Sequence, residues 1–202
     1  MAFRAFVALT LLIPKPILRP AESTFTRKGI TMDNGKLRVA FIGAGKQGNW
    51  RHYPPVSSFP DVEIAALCDF HEEKADATAK RWGIPKTYQD FKQMLEEVDP
   101  QAVFIITNPK DTFELASYAL NHGRHVFIEK PPGLNVNQIR VLAHYAETKN
   151  ALSMVGFQRR FVPAMTALKA RVEERGPIHS VMVANLKSTS DFNRITGNGA
   201  LD

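Results

Sequence analysis

From Leu37 onward, short apolar runs rich in β-branched residues alternate with amphipathic stretches of helical spacing. This alternation is typical of βαβ units that wind around a parallel sheet. Because the runs are apolar almost throughout, the strands should be buried on both faces. The predicted strands span residues 37–42, 62–68, 102–107, 125–129 and 152–155. The sequence therefore predicts an α/β fold with a doubly wound parallel sheet of the Rossmann type.

The amphipathic stretches predict the helices and several of their ends. They cover residues 72–82, 90–98, 112–121 and 135–149. Gly83 and Gly123 stand where a left-handed residue would close a helix, and Asn135 stands where an N-cap would start one. These capping residues support the proposed helix boundaries independently of the apolar pattern.

After Gly156 the pattern changes. Residues 163–175 predict one more helix, and residues 178–186 predict a strand that leads into a loop-like tail. We therefore place a domain boundary near residue 156, behind a nucleotide-binding domain at residues 36–155. The roughly 46 residues beyond the boundary are too few for a second core of normal size.

Residues 1–31 stay outside this fold. They contain an apolar run at residues 5–13, which is long enough for the core of a signal peptide and too short for a membrane span. Pro14, Pro16 and Pro20 follow this run, and no clear cleavage site is present. Two interpretations stay open: a weak export or transit signal, or an upstream extension of a protein whose natural start is Met32.

Charge and cysteine content narrow the possible partners. The 202-residue chain has 26 Lys and Arg against 20 Asp and Glu, a net charge of +6, of which residues 1–31 carry +4. No basic stripe with interleaved aromatics remains for nucleic acid. Cys68 is the single cysteine, so an intrachain disulfide is excluded and a cytoplasmic location is expected, with export as the alternative. The six histidines lack metal-ligand spacing, and no metal site is expected.

A glycine-rich loop follows the first predicted strand. Gly43, Gly45 and Gly48 form a G-x-G-x-x-G motif, with Lys46 and Gln47 between the last two glycines. In this context the first glycine makes a tight turn, the second lets a pyrophosphate approach the backbone and the third allows close packing of the helix on the strand. The helix N-terminus then favours an anion. The motif predicts a dinucleotide site.

An acidic residue follows the second predicted strand. Asp69 lies 21 residues after Gly48, where a carboxylate can accept hydrogen bonds from both hydroxyls of the adenosine ribose. The same carboxylate would repel a 2′-phosphate, and no arginine follows it directly. The sequence therefore favours NAD over NADP.

The strand at residues 125–129 runs into a charged corner. Glu129 and Lys130 precede Pro131 at the carboxyl end of this parallel strand, the edge at which ligands of open α/β sheets bind. A lysine at this edge can hydrogen-bond a substrate hydroxyl and take its proton while hydride leaves the carbinol carbon. Without the glycine loop, an exposed ion pair would be the simpler interpretation.

Together these motifs resemble the Gfo/Idh/MocA family of oxidoreductases over about residues 36–202. The motifs that carry the resemblance are residues 43–48, Cys68-Asp69, Thr107-Asn108-Pro109, Glu129-Lys130-Pro131 and residues 156–163. The family combines an NAD(P)-binding Rossmann domain with an α+β domain that shapes the substrate pocket and the oligomer. Its substrates are mostly sugars, polyols and their derivatives.

The resemblance also implies roles for individual residues. Lys130 corresponds to the family's catalytic lysine, and Glu129 to a contact with the cofactor ribose. Gln158 and Arg159 are expected near the nicotinamide and the substrate. Thr107 and Asn108 fall in a cofactor-binding motif.

Three departures from the family pattern qualify this expectation. Thr112 stands in place of a frequent histidine, and residues 1–31 are not part of the pattern. Asp202 corresponds to the family's aspartate or lies one residue short of it, and the histidine four residues further on has no counterpart. The expected functions are NAD binding and hydride transfer between the nicotinamide and a sugar, polyol or related hydroxyl substrate. Whether the chain in this form carries out the transfer is left open. A non-catalytic dinucleotide-binding or interaction protein, or a fragment of a longer dehydrogenase, are the alternatives.

Overall fold

The computed structural model describes residues 35–180 and residue 182, and within them six parallel strands form one sheet. The strands are β1 (Leu37–Ile42), β2 (Val62–Cys68), β3 (Thr87–Tyr88), β4 (Ala102–Ile105), β5 (His125–Ile128) and β6 (Ser153–Val155). Their order across the sheet is β3-β2-β1-β4-β5-β6. The chain therefore builds outward from β1 in one direction and then resumes at β4 on its other side. This reversal opens a crevice at the carboxyl ends of β1 and β4.

Helical segments connect the strands. They are a π-helical turn at Gly48–His52 that continues into α1 (Tyr53–Ser57), then α2 (Glu72–Trp82), α3 (Phe91–Val98), α4 (Pro109–Asn121) and α5 (Val136–Thr148). Alternate residues of β1 enter different cores: Val39 and Phe41 pack with α1 and α2, whereas Ala40 and Ile42 pack with α3, α4 and α5. Helices thus cover both faces of the sheet, and the predicted doubly wound parallel sheet is confirmed.

The three predicted caps, Gly83, Gly123 and Asn135, are confirmed, and Asp90 adds a fourth that was not predicted. The Asp90 carboxylate accepts hydrogen bonds from the first N–H groups of α3, and Asn135 accepts one from the first turn of α5. Gly83 and Gly123 have φ values of 66° and 76° and follow α2 and α4. Asp90 and Asn135 accept hydrogen bonds from N–H groups that a helix start leaves unpaired, and the two glycines adopt the left-handed conformation that ends a helix.

The boundaries differ from the prediction at several ends. The strand predicted at residues 102–107 ends at Ile105, and α4 starts at Pro109 and not at Thr112. Proline is favoured in the first helical turn because the missing N–H would be unpaired there anyway. Strand β3 was not predicted, because a two-residue strand is too short for an alternating pattern.

The described residues divide into two compact units after Phe157. The second unit contains a 3₁₀ turn at Gln158–Phe161 and α6 (Pro163–Arg175), which confirms the helix predicted at residues 163–175. The predicted strand at residues 178–186 is not formed at residues 178–180, and its other residues except Met182 lie outside the described part of the chain. Within the described part, the helices are too short or too polar to cross a membrane.

His125, at the start of β5, should make the fold sensitive to acid. Its Nδ1 accepts a hydrogen bond from the main-chain N–H of Leu152 at 2.9 Å, and burial lowers the pKa of the imidazole. As the pH falls, the unfolded chain takes up this proton at a higher pH than the folded chain does. The stabilisation is therefore complete above about pH 6.5 and is lost as the pH falls through the folded pKa.

His125→Asn tests this expectation, because asparagine offers a carbonyl acceptor to Leu152 and does not titrate. Thermal unfolding midpoints are measured for both proteins across this acidic range. We expect the parent midpoint to fall more steeply with decreasing pH than the midpoint of the variant. Parallel curves would contradict the assignment.

Candidate functional site

Main-chain hydrogen bonds align the carboxyl ends of four strands. Beyond the strands themselves, Gly43 N–H donates to Cys68 O at 2.8 Å and Ile106 N–H donates to Ile42 O at 2.9 Å. Glu129 N–H donates to the carbonyl of Ile105 at 3.0 Å. The glycine loop, Asp69 and Glu129 therefore leave the sheet at one edge, as the sequence predicts.

The three glycines of the loop differ in their surroundings. Gly43 has φ +113°, and a Cβ there would overlap the carbonyl oxygen of Ile106. A Cβ on Gly48 would lie 2.9 Å from the ring of Tyr53, so this glycine packs mainly against its own following helix. At Gly45 a Cβ would meet nothing within 4 Å. The packing of the protein itself thus requires glycine at positions 43 and 48, whereas the backbone of Gly45 is open to a ligand.

Tyr53 holds the first glycine of the loop, a role that was not predicted from the sequence. Its hydroxyl donates a hydrogen bond to the carbonyl of Gly43 at 2.8 Å, and its ring stacks on Phe41. Burial, followed by the nearby Asp69 carboxylate, raises the pKa of this tyrosine. The hydroxyl therefore stays a donor and satisfies the buried Gly43 carbonyl.

Asn49 also holds the loop, through a network that the sequence did not indicate. Its side-chain nitrogen donates to the carbonyl of Ala44 at 2.9 Å and to the Thr78 hydroxyl at 2.9 Å. Trp82 Nε1 donates to the Asn49 side-chain oxygen at 2.9 Å. Because these bonds join the loop to α2, the loop is held against the helix that follows β2.

Asp69 faces the glycine loop. Its Oδ2 accepts a hydrogen bond from Ala44 N–H at 2.7 Å, and its Oδ1 accepts one from His71 N–H at 2.9 Å. The carboxylate is half-buried and oriented by the backbone on both sides. The adjacent Cys68 is buried, and burial and the charges of Asp69 and Asp90 raise the pKa of its thiol to about 12. The structure thus places Cys68 in the core.

Glu129 and Lys130 point to different environments. Glu129 is buried, and its carboxylate contacts His52 Nε2 at 2.7 Å through Oε1 and the Lys130 N–H at 3.1 Å through Oε2. The Lys130 side chain is exposed, and the peptide bond that joins it to Pro131 is cis. His52 had no role in the sequence analysis, because the 77 positions between it and Glu129 leave no local pattern.

The remaining candidates are distributed over the chain. Thr107 is half-buried and Asn108 is exposed at the start of α4, while Thr112 is buried and donates to the carbonyl of Asn108 at 3.0 Å. Lys46 and Gln47 are exposed at the start of the helical segment after the loop. Gln158 and Arg159 lie in the 3₁₀ turn of the second unit, and Asp202 lies outside the described residues.

Comparison with known proteins agrees with this geometry. A model of the Gfo/Idh/MocA oxidoreductase family, described as an NAD-binding Rossmann fold, matches residues 37–157. The scyllo-inositol 2-dehydrogenase (NAD(+)) of Bacillus subtilis is 28% identical over 138 residues, which cover 68% of this chain and 40% of that enzyme. Glycosyl hydrolase family 109 protein 3 of Phocaeicola vulgatus is 33% identical over 119 residues, 55% of this chain and 22% of that protein.

A solved structure shows the same likeness. The crystal structure of scyllo-inositol dehydrogenase from Lactobacillus casei, with bound NAD(H) and scyllo-inositol, superimposes with a TM-score of 0.64 at 26% identity. The match covers 69% of this chain and 41% of that one. The chain thus spans about two fifths or less of the length of these relatives.

Proposed function

The chain belongs to the Gfo/Idh/MocA family of oxidoreductases with an NAD-binding Rossmann fold, and from this we propose that it binds NAD and serves hydride transfer to or from a sugar, polyol or related hydroxyl compound. The observation that carries the proposal is the contrast within the glycine loop. Gly43 and Gly48 are closed in by protein atoms, whereas the space over Gly45 is open. A dinucleotide pyrophosphate needs this close approach to backbone at a helix start.

The residues around the loop fit a dinucleotide. Asp69 lies beside Ala44 and can accept hydrogen bonds from the adenosine ribose hydroxyls. Its negative charge disfavours a 2′-phosphate, which supports NAD over NADP as the cofactor. Lys46 and Gln47 are the proposed contacts at the helix start, and Thr107, Asn108, Glu129 and Gln158 are proposed as further cofactor contacts.

In the proposed reaction, Lys130 handles the substrate proton. Bound NAD would supply the hydride acceptor or donor. As a neutral amine, Lys130 Nζ accepts a hydrogen bond from the substrate hydroxyl and takes its proton as the carbinol is oxidised; as the ammonium it returns that proton in the reverse direction. By resemblance we assign substrate contacts to Arg159 and Asp202. The substrate class rests on the relatives, whose names include inositol dehydrogenases.

Replacing Asp69 with asparagine tests the cofactor proposal. We expect NADH to bind about tenfold more weakly or worse, because a hydrogen bond to a charged group contributes roughly 1.5–3 kcal/mol. We expect NADPH affinity to fall less or to rise, since the repulsion of the 2′-phosphate is removed. NADH and NADPH fluorescence titrations of the folded full chain measure both.

Glu73→Gln is the matched control, because it removes one negative charge from an exposed side chain in the first turn of α2. It should bind NADH as the parent does. Parent protein that is folded and shows no NADH signal would refute the proposal. Equal NADH affinity of the parent and Asp69→Asn would refute the role of Asp69.

The glycosyl hydrolase relative favours a second candidate, a glycosidase that uses NAD. Some glycoside hydrolases depend on NAD. Nitrophenyl glycosides and free polyols distinguish the two: a dehydrogenase accumulates NADH with the polyols, whereas an NAD-using hydrolase releases nitrophenol without net NADH. NADH binding without turnover on either panel would favour a non-catalytic dinucleotide-binding protein.

A further inference from the structure

We propose that His52 is a positioning residue that holds the carboxylate of Glu129 in place for the cofactor and for Lys130. The proposal deepens the proposed function and depends on it for its link to catalysis. The observation is one contact, 2.7 Å long, between His52 Nε2 and Glu129 Oε1. It joins the helical segment after the glycine loop to the end of β5.

Glu129 needs such a partner because of where it lies. Among the residues that the structure describes, Glu129 is the only buried Asp, Glu, Lys, Arg or His, and 10% of its side chain is exposed. A buried carboxylate is costly unless hydrogen bonds satisfy its oxygens. The Lys130 N–H satisfies Oε2 from the next residue, and His52 satisfies Oε1. With a proton on Nε2 of His52, each oxygen of the carboxylate therefore has a hydrogen-bond donor.

The helix geometry brings His52 to this position. Tyr53 N–H bonds to Gly48 O, five residues back, so the turn at Gly48–His52 is wider than an α-helical turn. Pro54 and Pro55 follow Tyr53 and have no N–H to bond back to residues of the turn. Because each helical position is rotated by about 100° from the next, this widening decides which side chain faces Glu129.

Neighbouring groups restrict both partners. The His52 ring packs at a 59° tilt on Phe127, with ring centroids 5.3 Å apart, and 13% of its side chain is exposed. On the other side, a Cβ on Gly156 would lie 3.1 Å from the Phe127 ring and 3.6 Å from Glu129 Oε1. The absence of a side chain at Gly156 thus leaves room for the Phe127 ring that packs against His52 and for the Glu129 carboxylate. Through Oε2 its orientation also restrains the main chain from which the Lys130 side chain leaves.

Three variants test the proposal in the full chain. His52→Ala removes the donor, and His52→Gln places an amide N–H near the position of Nε2. His144→Ala is the matched control, because this histidine is exposed on α5. We expect His52→Ala to weaken NADH binding about tenfold, as for loss of one hydrogen bond to a charged group, and His52→Gln to restore it to within about threefold.

A double-mutant cycle separates positioning from general support. In a Glu129→Gln background, His52→Ala should produce little further loss of NADH affinity, since the two residues act as one unit. Thermal unfolding shows which variants are folded. A tenfold loss that persists in the Glu129→Gln background, or full affinity of His52→Ala, would overturn the proposal.

A cofactor-free measurement keeps this test distinct from that of the proposed function. The ring nitrogens of His52 are observed by NMR in the ¹⁵N-labelled full chain. We expect an Nε2 that carries hydrogen and whose signal shifts in Glu129→Gln but not in His144→Ala. An unchanged signal would refute the contact even if NADH binds. A shifted signal in a chain that binds no NADH would instead refute the proposed function.

Discussion

Replacing Lys130 with alanine should lower the rate of NADH formation from a polyol or sugar substrate by about 10³-fold, because general acid–base catalysis contributes roughly 10²–10⁴-fold. NADH affinity should change by less than about threefold, short of the tenfold step that corresponds to about 1.4 kcal/mol, because Lys130 is assigned to the substrate and not to the cofactor. The Lys130 side chain is exposed, so its removal leaves no cavity in the core. The two quantities are measured by steady-state kinetics and by NADH titration.

Lys130→Arg is the control that separates charge from proton transfer. Arginine keeps the positive charge but does not release its proton in proteins. We therefore expect the arginine variant to stay nearly as slow as the alanine variant. Parent-like turnover of either variant would show that another group handles the proton. Loss of NADH binding in both would move the role of Lys130 from the substrate to the cofactor.

Replacing Gly43 with alanine should prevent stable folding or lower the free energy of unfolding by roughly 3 kcal/mol or more, since strained backbone and an enforced overlap both contribute. The residue has φ +113°, where side chains are rarely tolerated, and a Cβ would overlap the Ile106 carbonyl. Neither strain can relax easily, because Gly43 N–H and O are both held by hydrogen bonds. Chemical unfolding measures the loss.

Gly45→Ala should behave in the opposite way. Its Cβ would enter open space and the backbone needs no left-handed conformation, so the variant should fold as the parent does. We expect its NADH affinity to fall by about tenfold or more, because the methyl group occupies the space that a pyrophosphate needs. A stable Gly43→Ala protein, or a Gly45→Ala protein that binds NADH as the parent does, would contradict the division of roles between the two glycines.

Five of the six strands in the described residues could be predicted from the sequence, because each of these strands carries its own apolar signal. Strands β1 and β2 start and end where the apolar runs do, since each run is bounded by polar or turn-forming residues. Helix α2 was equally readable, with two glutamates in its first turn and Gly83 behind its last. The predicted end of β4 lay two residues too far, because Ile106 and Thr107 continue the β-branched run past Ile105, where the strand ends.

The candidate site likewise has residues that the sequence predicts and partners that only the tertiary structure decides. The glycine loop, Asp69 and the Glu129-Lys130 corner each follow a strand within one or two residues, so local pattern and parallel topology place them at one edge. Only the tertiary structure decided which side chains hold them: Tyr53 beneath Gly43, Asn49 between the loop and α2, and His52 on Glu129. These partners depend on the rotation of a helical segment that contains a wide turn, and on contacts across as many as 77 positions. A one-residue change in helix phase turns a side chain by about 100°, and no local pattern in the sequence records it.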